Sequence, residues 1–265
     1  MQITSLQNER IKSLVKLRDD KRQRQRESLM LVEGRDEINL ALSAGHRPQI
    51  VVTCAALARQ AMDFPNTERL EVTRAVFEKL SVRDNPDGWL AILPLPQRKF
   101  SDLQFKEQPL IIIAESVEKP GNLGAVLRTA DAAGVDAVVV CDPRVDLYAP
   151  NVVRASRGTI FSVPCIEATN QEAFDFLKQR SIPVLAATPS AQQPYTSRDL
   201  RGPVAIAVGT EDEGLTDFWM QRADSQVLIP MVGKVNSLNL SIATALIVYE
   251  AVRQRGRETS KQVDM

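Results

Sequence analysis

The segment Leu110–Glu115, LIIIAE, runs five residues without a polar side chain. A strand with water on one face alternates apolar and polar residues. An unbroken, mostly β-branched run belongs instead to a parallel strand covered on both faces. Ala137–Cys141 (AVVVC) and Pro203–Val208 (PVAIAV) read as further strands. Between the first two runs, Pro120-Gly121 turns the chain and Asn122 stands where it can cap a helix. Leu123, Leu127 and Ala130 then fall on one helical stripe, and Gly134 occupies the usual C-terminal stop. Strand, helix and strand in this order form one βαβ unit, so the chain from Leu110 onward is expected to be α/β with a parallel sheet.

A second stretch closes this part of the chain: Ile229–Glu250, IPMVGKVNSLNLSIATALIVYE. Val227, Leu228 and Ile229 read as a strand end that Pro230 stops. A loop containing Gly233 follows, and Ser237 and Asn239 sit where a helix is capped. From Leu240 to Val252 nearly every face is apolar, which predicts a buried helix rather than a surface one. A third stretch is AIAVGTEDEGL, a strand followed by Gly209, three acids (Glu211, Asp212, Glu213) and Gly214. Thr216 can cap the helix that carries Trp219. Acids favoured at a helix N-terminus and a carboxylate site for Mg²⁺ are two ordinary readings. Neither accounts for the bracketing glycines. Arg128 lies one turn beyond Gly124 on the same helix face. A surface pair with Asp131 is the plain reading; a guanidinium beside space left by Gly124 is the other.

The first hundred residues are different in kind. Glu9–Arg26 holds eight Lys or Arg against three acids, an excess of five positive charges. Ile11, Leu14, Val15 and Leu17 add an apolar stripe, so this is expected to be one amphipathic helix with a basic face. The face is either simply solvated or an RNA phosphate footprint. Strands are expected at Ser28–Val32, Gln49–Thr53, Arg69–Val72 and Trp89–Leu93, and helices at Arg35–Ala44 and Ala75–Leu80. That is a small α/β module. Pro94, Pro96, Arg98 and Lys99 mark a connection, giving domains at 1–98 and 106–265.

Composition closes off several chemistries. His46 is the only histidine, so no site built on several histidines is possible, and it lies in a Gly-His-Arg-Pro turn with no role assigned. The three cysteines have no CxxC spacing, which argues against zinc and disulfides and suits a reducing cytoplasm. Basic and acidic residues balance at 33 each, so any nucleic-acid surface is a local patch. No apolar run is long enough to cross a bilayer, and neither a dinucleotide-binding glycine loop nor a P-loop is present.

Taken in order, Asn122–Ala130 (NLGAVLRTA), Gly209–Leu215 (GTEDEGL) and Ile229–Ser241 (IPMVGKVNSLNLS) resemble the three motifs of the SpoU (TrmH) family of SPOUT methyltransferases. The resemblance covers Leu110 to about Arg253. The first hundred residues resemble, more weakly, the SpoU-type substrate-binding domain. The resemblance implies an α/β domain with a trefoil knot, a small α/β RNA-binding domain before it, and a homodimer. It implies methyl transfer from S-adenosylmethionine to a ribose 2′-hydroxyl, with rRNA favoured over tRNA, and neither metal nor membrane. A non-catalytic RNA-binding or assembly factor on the same fold is the alternative. Carried over residue by residue, Gly209, Ile229 and Leu238 would hold the cofactor, with Met231, Ala187 and Thr188 adding to the pocket. Arg128 matches the family's catalytic arginine, and Asn122, Glu211, Ser237 and Asn239 match its other polar positions. Thr210 departs from the Asn or Ala common in the family.

Overall fold

The computed structural model describes residues 2–105 and 107–256. The Asn8 side chain accepts the Arg10 N–H and opens α1 (Glu9–Asp19), whose Ile11, Leu14 and Leu17 are buried. Asp20 is extended. It ends α1 and, by accepting the Arg22 N–H, caps α2 (Lys21–Glu27). The expected single basic helix is therefore two, because an aspartate prefers to cap a helix rather than continue one. β1 (Leu29–Glu33), α3 (Arg35–Ser43), β2 (Ile50–Thr53), β3 (Glu68–Glu71), α4 (Arg74–Leu80) and β4 (Trp89–Pro94) follow, each within one residue of its sequence expectation. The strands form a sheet in the order β1-β4-β2-β3, with β4 antiparallel to both neighbours and β3 parallel to β2. Ile11, Leu17, Phe77 and Leu80 from α1 and α4 share one core with Leu31, Val52, Leu90 and Ile92 of the sheet.

The rest of the chain is a parallel α/β assembly. β5 (Leu110–Glu115), α5 (Pro120–Ala133) and β6 (Ala137–Cys141) are the expected βαβ unit. Then come α6 (Pro150–Ala155), α7 (Thr159–Ser162), β7 (Cys165–Ala168), α8 (Asn170–Gln179), β8 (Val184–Ala187), β9 (Val204–Val208), α9 (Asp217–Arg222), β10 (Ser225–Val227) and α10 (Leu240–Gln254). Six strands pair in the order β10-β8-β9-β5-β6-β7, all parallel. β5, β6 and β9 are buried along their whole length, as their apolar runs require. By contact the described residues divide into two units. The first holds residues up to Gln97 with Lys119–Gly124 and Val145–Ser162; the second holds the remainder.

Three expectations are corrected. Pro120, with its fixed φ, starts α5. Asn122 therefore lies inside the first turn rather than capping it. Gly124 leaves no open space: a β-carbon there would lie 2.4 Å from the Ala155 β-carbon and 2.5 Å from its carbonyl carbon, so the glycine lets α6 pack against α5. α10 is not buried all round. Ile247, Val248 and Ala251 are buried, but Ile242, Leu246 and Tyr249 are 52%, 38% and 48% exposed.

Candidate active site

In a parallel sheet, ligands bind beyond the carboxyl ends of the strands, where strand order reverses. Here the order turns back at β5 and β9, and the site lies over the adjacent ends of β9, β8 and β10. Ala187 pairs in register with Val227 and Ala186 with Ala207, so these strand ends are level. The loops leaving them wall a cavity of about 610 Å³. Its wall includes all six residues expected to hold a cofactor: Ala187, Thr188, Gly209, Ile229, Met231 and Leu238. Glu211 and Ser237 line it too. Ser190, Met220, Asn236, Leu240 and Ala243 also line it and were not expected.

The glycines around the acids now have a physical reason. Thr210 and Gly214 exchange N–H···O bonds of 3.1 Å each, which closes the loop on itself. Gly214 takes φ 71°, a conformation that residues with a β-carbon rarely adopt. Gly209 sits so close that a β-carbon would lie 2.0 Å from the Gly214 oxygen. Thr210 fits its place, since its hydroxyl accepts the Glu213 N–H at 3.1 Å. Asn239 caps α10 by accepting the Ser241 N–H at 3.0 Å and the Ser241 hydroxyl at 2.6 Å. Its amide also donates to the Glu211 carboxylate. One asparagine thus joins the acidic loop to the last helix, although it does not itself line the cavity. Among the described residues, no three His, Cys, Asp or Glu side chains gather as metal ligands.

Behind the loop lies a buried group that sequence reasoning passed over. Glu115, 1% exposed at the end of β5, accepts the Thr216 N–H at 2.8 Å, the Thr216 hydroxyl at 2.7 Å and the Asn170 amide at 2.7 Å. The Asn170 oxygen in turn accepts the Trp219 indole N–H at 2.6 Å. This network holds the start of α9, where the acidic loop ends. The available signal was an acid terminating an otherwise apolar strand.

Arg128 is exposed on α5, and Asn122 is half-buried near that helix's start. Neither is on the cavity wall. His46 packs edge-on against Phe161 at 5.2 Å. The thiols of Cys54, Cys141 and Cys165 are buried and unpaired. Burial pushes the Cys165 thiol up to about 12, so it stays protonated and inert as a nucleophile.

A sequence profile of the SpoU rRNA Methylase family matches residues 109–249, more than half of the chain. The chain belongs to the SpoU rRNA methylase family. Residues 8–91 match the MRM3-like substrate binding domain. A putative TrmH family tRNA/rRNA methyltransferase of Staphylococcus epidermidis is 31% identical over 241 residues, spanning 85% of this SpoU chain and 96% of its own length. The 23S rRNA (guanosine-2'-O-)-methyltransferase RlmB of Pseudomonas putida is 38% identical over 148 residues, 56% of this chain and 60% of RlmB. A solved RNA 2'-O ribose methyltransferase superposes with a TM-score of 0.86 at 44% identity, covering 96% of this chain and 99% of the other. The SpoU methyltransferase AviRb from Streptomyces viridochromogenes, solved with AdoMet, superposes with a TM-score of 0.87 at 26% identity, covering 96% and 100%.

Proposed function

We propose that this chain transfers a methyl group from S-adenosylmethionine to a ribose 2′-hydroxyl of RNA, ribosomal RNA ahead of transfer RNA. One observation carries the reading. Three loops distant in sequence, each leaving a neighbouring parallel strand, meet around a single cavity of about 610 Å³ in a SpoU-family chain. That volume suits a cofactor. The wall offers apolar side chains for an adenine ring (Val208, Ile229, Leu238) and polar ones for a ribose and a charged amino-acid end (Thr188, Glu211, Ser237). Bound there, S-adenosylmethionine supplies a methyl group already activated on a positively charged sulfur.

The residues of the chain do the rest. A ribose hydroxyl is a poor nucleophile near neutral pH, and holding it in line with the methyl group supplies much of the acceleration. Arg128 serves as a hydrogen-bond donor, because a guanidinium carries N–H donors and no acceptor. Its role in this reading is to hydrogen-bond the hydroxyl, lower its pKa, and hold with its two-pronged fork the neighbouring RNA phosphate, whose oxygen takes the hydroxyl proton while the sulfur leaves as a neutral thioether. The Glu211–Asn239 pair fixes the loop that walls the cavity, and Ser237 adds a hydroxyl to that wall. Residues 1–98 bind the RNA and residues 106–265 carry the transfer. A homodimer accounts for the uncovered stripe Ile242, Leu246 and Tyr249 on α10 and for the exposed Val232 and Val235 in the loop before it. Buried, unpaired thiols suit the cytoplasm.

Calorimetric titration with S-adenosylmethionine tests the reading. Saturable heat at one site per chain is the expected result. Absence of binding would leave an RNA-binding factor on a methyltransferase fold.

A further inference from the structure

We propose that the first unit carries a second binding site, an arginine-walled cavity that grips phosphates of the substrate RNA strand. This inference rests on the RNA reading above. The cavity has a volume of about 1050 Å³, and every wall residue belongs to the first unit. Six arginines line it: Arg35, Arg59, Arg74, Arg83, Arg154 and Arg157. The carboxylates on the same wall number four, leaving a net excess of two positive charges. One of them, Glu37, is committed to Arg83 at 2.6 Å. Another, Asp87, accepts the backbone N–H groups of Arg35 at 2.7 Å and Trp89 at 3.1 Å. Asp36 and Asp84 complete the set. Arg74 pairs with Glu78 at 2.7 Å. Arg35, Arg59, Arg154 and Arg157 form no ion pair among the described residues.

Nε of Arg35 and Nε of Arg83 are buried without a hydrogen-bond partner among the described residues, so these two guanidinium groups have unused donor capacity beside the cavity. Arg157 is held at φ 53°, with Gly158 after it at φ 83°. That left-handed turn is rare for a residue with a β-carbon, and it sets Arg157 on the wall that Arg154 also lines. Guanidinium forks match phosphate oxygens in pairs, and they are more weakly hydrated than ammonium groups. The four arginines without ion pairs come from three separate segments: the start of α3, the connection from β2 to β3, and the end of α6. Arginines drawn from three segments around so large a volume suit several phosphates of a strand better than one free anion. The basic helices α1 and α2 are a weaker candidate for this role. There Arg10, Lys12 and Arg18 are paired with Glu68, Glu9 and Asp19, and Arg24 is buried against Asp146.

The test uses the full chain and a single-stranded RNA oligonucleotide, with affinity measured across a potassium chloride series. Arg59→Gln and Arg157→Gln are combined, because neither side chain makes an ion pair among the described residues. Arg201→Gln, which breaks an exposed pair with Asp199 in the second unit, is the control for lost charge. Each phosphate contact on a single strand contributes about 0.7 to the slope of log affinity against log salt. The double variant is expected to lose about 1.4 from that slope and to bind RNA more weakly, with S-adenosylmethionine affinity and the control unchanged. An unchanged slope in the double variant overturns the site alone. Wild-type chain that binds no RNA overturns the functional reading and the site together. Inorganic pyrophosphate is the last arm: if it binds in an arginine-dependent way and RNA does not displace it, the cavity serves a free anion and the proposal fails.

Discussion

Replacing Glu115 with glutamine should destabilise the fold and loosen the acidic loop together. One carboxylate oxygen accepts from both the Asn170 amide and the Thr216 hydroxyl, and the other accepts the Thr216 N–H. A glutamine can keep only one of these oxygens. If its carbonyl takes the first place, its NH₂ group faces the Thr216 N–H, donor against donor. If it takes the second, two acceptor contacts are lost. Asn170 cannot flip to compensate, because its oxygen is held by the Trp219 indole. At least one charge-assisted bond is lost and one buried donor is left unpaired. Each of these effects is worth roughly 1–3 kcal/mol, so a total of about 2–6 kcal/mol is expected. Urea unfolding followed by Trp219 fluorescence in a Trp89→Phe background measures it, with the slope m checked for constancy. S-adenosylmethionine affinity should fall alongside, since Thr216 fixes the end of the Thr210–Gly214 loop. Stability within about 0.5 kcal/mol of wild type, the scale of an ordinary surface change, would refute the reasoning.

Arg128→Ala should lower the methyl-transfer rate at least about a hundredfold, the scale of one lost transition-state donor, while calorimetry shows the cofactor binding as before. Gly209→Ala forces a β-carbon to within 2.0 Å of the Gly214 oxygen. Relieving that overlap should cost about 1–3 kcal/mol, and the affinity for S-adenosylmethionine should drop about tenfold or more in the same titration. Leu246→Asp places a charge on the uncovered stripe of α10; sedimentation should find a dimer for the wild type and a monomer for the variant, and two monomers would remove the proposed homodimer.

The sequence revealed what repeats locally. A continuous apolar run marked β5 as a strand covered on both sides, and it is buried throughout; β6 and β9, expected simply as strands, are buried throughout as well. Glycines and caps marked the loops that wall the cavity, because such residues answer to backbone geometry at their own position. Contacts between distant segments left no periodic trace. Glu115 meets Thr216 across 101 positions, and Arg24 meets Asp146 across 122. Arg24 read as one more charge on a solvated face, yet its side chain is 4% exposed. Gly124 was legible as a glycine that mattered, but not as the seat of α6, since nothing near it names its partner. For α10 the apolar character was plain. Its uncovered stripe was not, because composition does not say which apolar faces the chain itself can cover.

In the proposed function this cavity delivers a methyl group to a sugar oxygen. The most direct measurement is digestion of ribosomal RNA to nucleosides after incubation with the purified chain and isotopically labelled S-adenosylmethionine, with the label located by mass spectrometry. The expected product is one nucleoside with the labelled methyl on its ribose 2′-oxygen, abundant with wild type and nearly absent with Arg128→Ala. Label on a base, or equal labelling by the two proteins, would contradict it.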